Sequence, residues 1–203
     1  MRLYMIRHGQ TDSNTGRLLD TAHPGAPLNG TGLAQADALA AQLGEHPIQG
    51  VYSSDLTRAV QTATPLAAQL ALPVVQLRGL REIPAGQLEM SSQWQRYIDA
   101  LLAWAADPAH RLPGGETAVE FAAHYDEAIM RIASAGHQMA ALVSHGAAMR
   151  VWLQMRTANV SDAGTRRLAN TEVVVLEGSP ERGWAGISWG DEPLGLISNP
   201  NQH

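Results

Sequence analysis

Residues 139–144, "MAALVS", are apolar up to their last position, and a helix-patterned stretch, "HGAAMRVWLQ", follows at once. A strand with no polar face must be covered on both sides, so this pair demands a sheet with helices packed on both faces. The alternation recurs along the chain. Residues 2–6, "GVYSSD" (50–55) and "PVVQL" (73–77) read as further strands. Between them apolar residues fall at helical spacing: Ala36, Leu39, Ala40 and Leu43, then Leu56, Ala59, Val60 and Ala63, with Pro65 expected to bend or end the second run. A helix is predicted near 92–106, and Thr117 with Glu120 has the spacing of a capping box opening a helix to about Ser134. "EVVVLE" (172–177) and "GWAGISW" (183–189) read as closing strands. The expectation is an α/β fold, a three-layer sandwich with a mostly parallel central sheet flanked by helices. No repeat or composition break divides it, so 1–203 reads as one domain with a loose tail from about 194.

Sheets of this kind bind ligands beyond the carboxyl ends of their strands. Three strands end there in similar chemistry: Arg7-His8-Gly9, then Ser53-Ser54-Asp55 with Arg58 in the next helical turn, then His145-Gly146 at another helix start. Helix amino termini and arginine forks both suit a phosphate. The chain has no cysteine, which leaves imidazole as the side chain best able to attack phosphorus at neutral pH. Neighbouring arginines lower a histidine's pKa and keep one ring nitrogen unprotonated, and the Gly9 carbonyl is a candidate acceptor for the other N–H.

Composition narrows the partners. All 14 basic residues are arginine, so neither a Schiff-base lysine nor a P-loop lysine exists. A formal charge of −5 argues against a nucleic-acid partner. No apolar run reaches the length of a membrane helix, and "MRLYMIRHG" does not read as a signal peptide, so a cytoplasmic location is expected. The histidines outside the strand ends (23, 46, 110, 124, 137, 203) show no metal-ligand spacing, so no metal and no cofactor is expected.

"RHGQTDSN" resembles the signature of the histidine phosphatase superfamily, in its phosphoglycerate-mutase-like branch. The resemblance continues in order through "PLNGTGLAQA" (27–36), "SSDLTRAVQTA" (53–63), "LREIPAGQLE" (80–89), "PGGET" (113–117), "LVSHGAAMR" (142–150) and, more loosely, "ANTEVVVLE" (169–177). It implies that His8 becomes phosphorylated, that Arg7, Arg58 and His145 hold the phosphoryl group, and that Asn14 and the Gly146 amide contact its oxygens. Glu82 stands where the family places the acid that protonates the leaving oxygen and then activates water. The implied substrate is a small phosphorylated metabolite, and monomer and homodimer are both left open.

Each residue also has a plainer reading. Arg58 can pair with Asp55 one turn away, Glu82 can pair with Arg78 or Arg81, and Trp94, Trp104 and Trp152 read as packing residues. The chain departs from the family pattern at Leu88-Glu89-Met90, in "GRLLDTAHPG" after Asn14, and at His124, where the family often has arginine. The mutases' insert with an arginine pair and a lysine is missing, which favours a phosphatase over a mutase. A non-catalytic phospholigand binder is the alternative of another class.

Overall fold

The computed structural model describes residues 1–195. Its centre is a seven-stranded sheet in the order β3-β2-β4-β1-β5-β6-β7: Arg2–Arg7 (β1), Gly50–Ser53 (β2), Val74–Gln76 (β3), Met139–Ser144 (β4), Val173–Ser179 (β5), Gly183–Trp189 (β6) and Glu192–Pro193 (β7). β1 to β4 run parallel, and β5, β6 and β7 continue the sheet antiparallel. The sheet is therefore mixed, with its parallel half carrying the strand ends singled out above.

Side chains alternate across β1 and β4 as a pleated strand requires. Leu3, Met5, Ala140 and Leu142 face the helices Trp94–Ala103 (α4), Ala118–Ser134 (α5) and Gly146–Arg156 (α6), meeting Tyr97, Phe121, Tyr125 and Trp152. Tyr4, Ile6, Ala141 and Val143 face Gly30–Leu43 (α2) and Thr57–Gln69 (α3) through Leu39, Leu43, Ala63 and Leu66. Both faces are buried, and three layers result. A four-residue helix, Asp12–Thr15 (α1), directly follows β1.

Local signals mostly hold. Thr117 and Glu120 form the reciprocal capping box at the start of α5, and Asn29 accepts the Gly32 N–H at the start of α2. α3 is not ended by Pro65; it runs on to Gln69 with the proline inside it, buried Leu66 and Ala67 anchoring the last turn. α4 is shorter than its predicted span, and two 3-10 turns, Arg78–Leu80 and Gly86–Leu88, precede it. The expected tail lies, from 196 onward, outside the described residues, while Leu194 N–H donates to the Ile187 carbonyl at 2.9 Å. Among the described residues no helix is long and apolar enough to cross a membrane.

Candidate active site

β1 and β4 are paired in parallel with Arg7 opposite Ser144, so the next residues, His8 and His145, emerge side by side. The His8 N–H donates to the Ser144 carbonyl at 3.0 Å, and the two imidazole rings lie 5.1 Å apart. Gly9 then turns the chain beneath α2: a β-carbon there would stand 2.8 Å from the Gly32 carbonyl oxygen, so only glycine fits. Its N–H donates to Thr62 Oγ1 at 2.9 Å.

Two hydrogen bonds settle the His8 tautomer. The Arg58 Nε–H, always a donor, points at His8 Nε2 from 3.2 Å, so Nε2 carries a lone pair. The ring proton is then on Nδ1, which donates to the Gly9 carbonyl at 2.7 Å. Burial, reinforced by Arg58 and Arg7, holds the His8 pKa well below the ordinary histidine value, against the pull of the Gly9 bond. His145 is fully buried, neither of its ring nitrogens has a protein partner, and burial followed by Arg58, His8 and Arg7 lowers its pKa well below the usual value too. Both rings are neutral at physiological pH.

Arg58 is itself held in place. It donates from its second amino nitrogen to the Asp20 carbonyl at 2.8 Å, and the Asp20 carboxylate lies 3.8 Å from the first. That carboxylate also accepts from Ser13 Oγ and the Ala26 N–H. The Asp55 pairing open to Arg58 is taken instead by Arg81, bidentate at 2.6 Å. Arg7 donates to the Leu168 carbonyl at 2.6 Å, and the absence of a side chain at Gly146 lets its guanidinium pass close by.

Asn14 Oδ1 accepts from the Thr11 N–H and from Asn170 Nδ2, each at 3.2 Å. Its amide orientation is thereby fixed, with Nδ2 left to donate. Asn170 also donates to the His8 carbonyl at 2.9 Å.

Glu82 makes no ion pair with Arg78 or Arg81. Its carboxylate instead caps the amino terminus of α6, accepting the Ala147 N–H at 3.1 Å and the Ala148 N–H at 2.7 Å, with the Ile83 N–H at 3.0 Å. The Gly146 amide, the one expected to contact a phosphate, is not among those that Glu82 engages.

Arg7, His8, Asn14, Arg58 and Glu82 share one small pocket of about 30 Å³ with Thr11, Asp20, Thr21, Trp94 and Tyr97. His145 and Gly146 do not line it. Trp94 packs edge-on against buried Tyr97, as read, and also borders the pocket, 36% exposed with its ring N–H donated to the Arg17 carbonyl. Asp20, Thr62 and Asn170 support the site but carried little sequence signal. Thr62 sits one turn after Arg58, a spacing that places both on one helix face; nothing marked Asp20 within its loop. The pocket supplies cationic donors and a neutral nucleophilic nitrogen, with a carboxyl group nearby, the set that phosphoryl transfer requires.

Comparison with known proteins identifies the family. The chain is 33% identical, over 96% of its length, to a PE-PGRS family protein of Mycobacterium tuberculosis, of which it spans 37%. It is 30% identical to a probable phosphoglycerate mutase of Proteus mirabilis, covering 98% of this chain and 94% of that one. The solved structure of mycobacterial glucosyl-3-phosphoglycerate phosphatase with VO3 superposes with a TM-score of 0.79 at 29% identity, over 93% of this chain and 98% of the other. The model of the histidine phosphatase superfamily, branch 1, matches residues 3–192, and with nearly the whole sheet and its pocket inside that match, the chain belongs to this family.

Proposed function

We propose that the protein is a cytoplasmic, metal-independent phosphomonoesterase that works on a small phosphorylated metabolite through a phosphohistidine. The observation that carries this reading is the His8 tautomer, with Nε2 unprotonated beside a pocket lined by Arg7 and Arg58; its lone pair accepts the Arg58 Nε–H and is released when that guanidinium turns to a phosphoryl oxygen. In the first step Nε2 attacks phosphorus, the N–P bond forms, and the ester P–O bond breaks. Glu82 gives its proton to the departing oxygen. In the second step Glu82 takes a proton from water as the water oxygen bonds to phosphorus, and the N–P electrons return to Nε2. Arg7, Arg58 and Asn14 Nδ2, which line the pocket, hold the phosphoryl oxygens and spread the charge that builds in the transition state, while His145, its ring 5.1 Å from that of His8, and the Gly146 N–H join them once the pocket widens to admit the group. To donate, Glu82 must loosen one of its bonds to the α6 amides.

The solved phosphatase relative supports hydrolysis, while the Proteus relative's name keeps a mutase as the runner-up. Holding a bisphosphate needs further free cations. The adjacent pair Arg166-Arg167 is a poor source: Arg166 is bonded to Glu192 and stacks on Trp189 at 5.0 Å.

Phosphate release from p-nitrophenyl phosphate in the presence of EDTA tests the reading. Rapidly quenched protein should carry an acid-labile, alkali-stable phosphoryl group on His8, and His8→Ala should lose it along with about 10⁴-fold or more of the turnover. A label on Ser53, Ser54 or His145, or a complete dependence on added metal, would refute it. Isomerisation of phosphoglycerate, dependent on bisphosphoglycerate, would instead establish the mutase.

A further inference from the structure

The small pocket shares Thr21 and Glu82 with a far larger neighbouring cleft of about 860 Å³. One wall of the cleft is a face of α5 bearing His124, Glu127, Ala128 and Arg131, spaced i, i+3, i+4, i+7. The turn at Arg78 and Gly79 adjoins this wall, packed onto α5 so closely that a β-carbon at Gly79 would stand 2.3 Å from the His124 carbonyl oxygen, so that join is backbone against backbone.

A cavity of several hundred cubic ångströms takes a ligand of many atoms, and such cavities are ordinarily lined by apolar groups. This one mixes the two: seven of its 18 lining residues are Arg or Glu, set among apolar Ala22, Leu77, Pro84 and Ala128 and three glycines. Its inner carboxylates are already engaged. Glu89 accepts the Thr21 and Ala22 N–H groups at 2.8 and 2.9 Å, and Glu116 is bonded to His124 at 2.9 Å. Arg78 and Arg131 have no carboxylate within 4 Å among the described residues, and exposed Glu127 beside them keeps the wall mixed in sign. Such walls offer donors to an uncharged or weakly anionic ligand rich in oxygen, and they penalise a hydrocarbon, which would strip them of water.

We infer that the substrate is a phosphomonoester whose alcohol part is bulky and polar, on the scale of a nucleoside or a disaccharide, seated in this cleft with Arg78 and Arg131 at its outer end. The inference rests on the phosphatase reading of the adjoining pocket and names its substrate class. A glycerol-sized alcohol would touch little of the cleft.

Steady-state kinetics on four esters tests it: β-glycerol phosphate, a nucleoside 5′-monophosphate, a disaccharide phosphate and dodecyl phosphate. The better bulky polar ester should exceed β-glycerol phosphate and dodecyl phosphate in kcat/KM by about tenfold or more, one decade of binding preference. Ala22 is exposed at the cleft mouth, and Ala22→Trp should cut that preference by about tenfold, with the double variant Arg78→Ala/Arg131→Ala cutting it about threefold. No preference in the native protein, or one that both variants leave intact, would overturn the inference. If no ester is hydrolysed, it is the phosphatase reading that falls. Calorimetric binding of the same esters to folded His8→Ala protein then decides the cleft: tighter binding of the bulky polar esters supports it, and equal affinities reject it.

Discussion

Glu82 borders two regions that treat the same side chain in opposite ways. In the small pocket His8 and His145 are buried among arginines and stay neutral. In the cleft both ring nitrogens of His124 face acceptors, the Gly79 carbonyl at 3.0 Å and the Glu116 carboxylate at 2.9 Å. Burial works against its charge, but the Glu116 bond, the Glu116 charge and the Gly79 bond together outweigh it and raise its pKa above the ordinary value. Burial lowers the pKa at all three histidines; the arginines beside His8 and His145 add to that, and the carboxylate and carbonyl beside His124 reverse it. In the reading proposed above, the pocket carries the chemistry and the cleft the contact.

The largest effect that tests this division is at Glu82 itself. Glu82→Gln should slow phosphoenzyme formation from an alkyl phosphate on the order of 10²–10⁴-fold, the usual scale of general acid–base catalysis. An alkoxide needs the proton, whereas p-nitrophenolate leaves adequately without it. A burst measurement with p-nitrophenyl phosphate should therefore show a much smaller loss. Equal losses for the two substrates would assign Glu82 to structure, as the cap of α6, and move the search for a proton donor to Glu89 or Glu116.

A smaller effect sharpens the pocket's side of the comparison. Asn170 touches the Asn14 amide and the His8 carbonyl but does not line the pocket. Asn170→Ala leaves the Asn14 amide oriented by the Thr11 N–H alone, and inhibition by vanadate and by inorganic phosphate should both weaken by up to about tenfold, the value of one well-placed hydrogen bond to an anion. Asn170→Asp, which cannot donate and adds negative charge, should be worse than alanine. Unchanged phosphate inhibition with a lower kcat would contradict this positioning role.

The smallest effects should appear in thermal or urea unfolding as a function of pH. His8 and His145 have folded-state pKa values below the unfolded one of about 6.5, so below that pH the unfolded chain binds more protons and stability falls. Each such group steepens the acid limb by up to about 1.4 kcal/mol per pH unit, and His145→Gln should remove one share. His124 has the opposite sign. Its contribution is present below about pH 6.5 and is lost as pH rises through its elevated folded value. The side chain is 34% exposed and screened, so His124→Gln should cost only about 0.5 kcal/mol at pH 6 and less at pH 9. Identical pH profiles for the two variants would erase the distinction between the regions.

The parallel half of the sheet was legible because strands buried on both faces leave a mark in composition, as "MAALVS" does. The reversal of direction at β5 was not, since an apolar run reads the same in either sense. Arg7, His8 and Arg58 stood out in the sequence, and the Gly9 carbonyl was foreseen as the His8 partner. The groups that hold them were hidden for a common reason. Arg58 reaches Asp20 and Arg81 reaches Asp55 across separations of 38 and 26 residues, and no local pattern records such pairings. Glu82 lies beside two arginines in sequence and still goes to the backbone of α6, because helix amides that lack partners inside the fold compete strongly for a carboxylate. Trp94 does pack on Tyr97 as its helical spacing implied, but its place at the pocket was hidden, because spacing marks a face and does not say how far that face is covered.

The pairing of Arg7 with Ser144 has an evolutionary consequence. The separation of His8 from His145 is written in main-chain ladder bonds between β1 and β4, and a ladder shifts only by whole residues. Point substitutions in the surrounding loops therefore cannot detune the pair gradually; they leave it alone or, with an insertion inside a strand, destroy it. A lineage carrying such a sheet is free to rewrite its loops and the exposed face of α5 while the reaction centre stays in register. Drift to about 30% identity across almost the full chain is what that freedom permits.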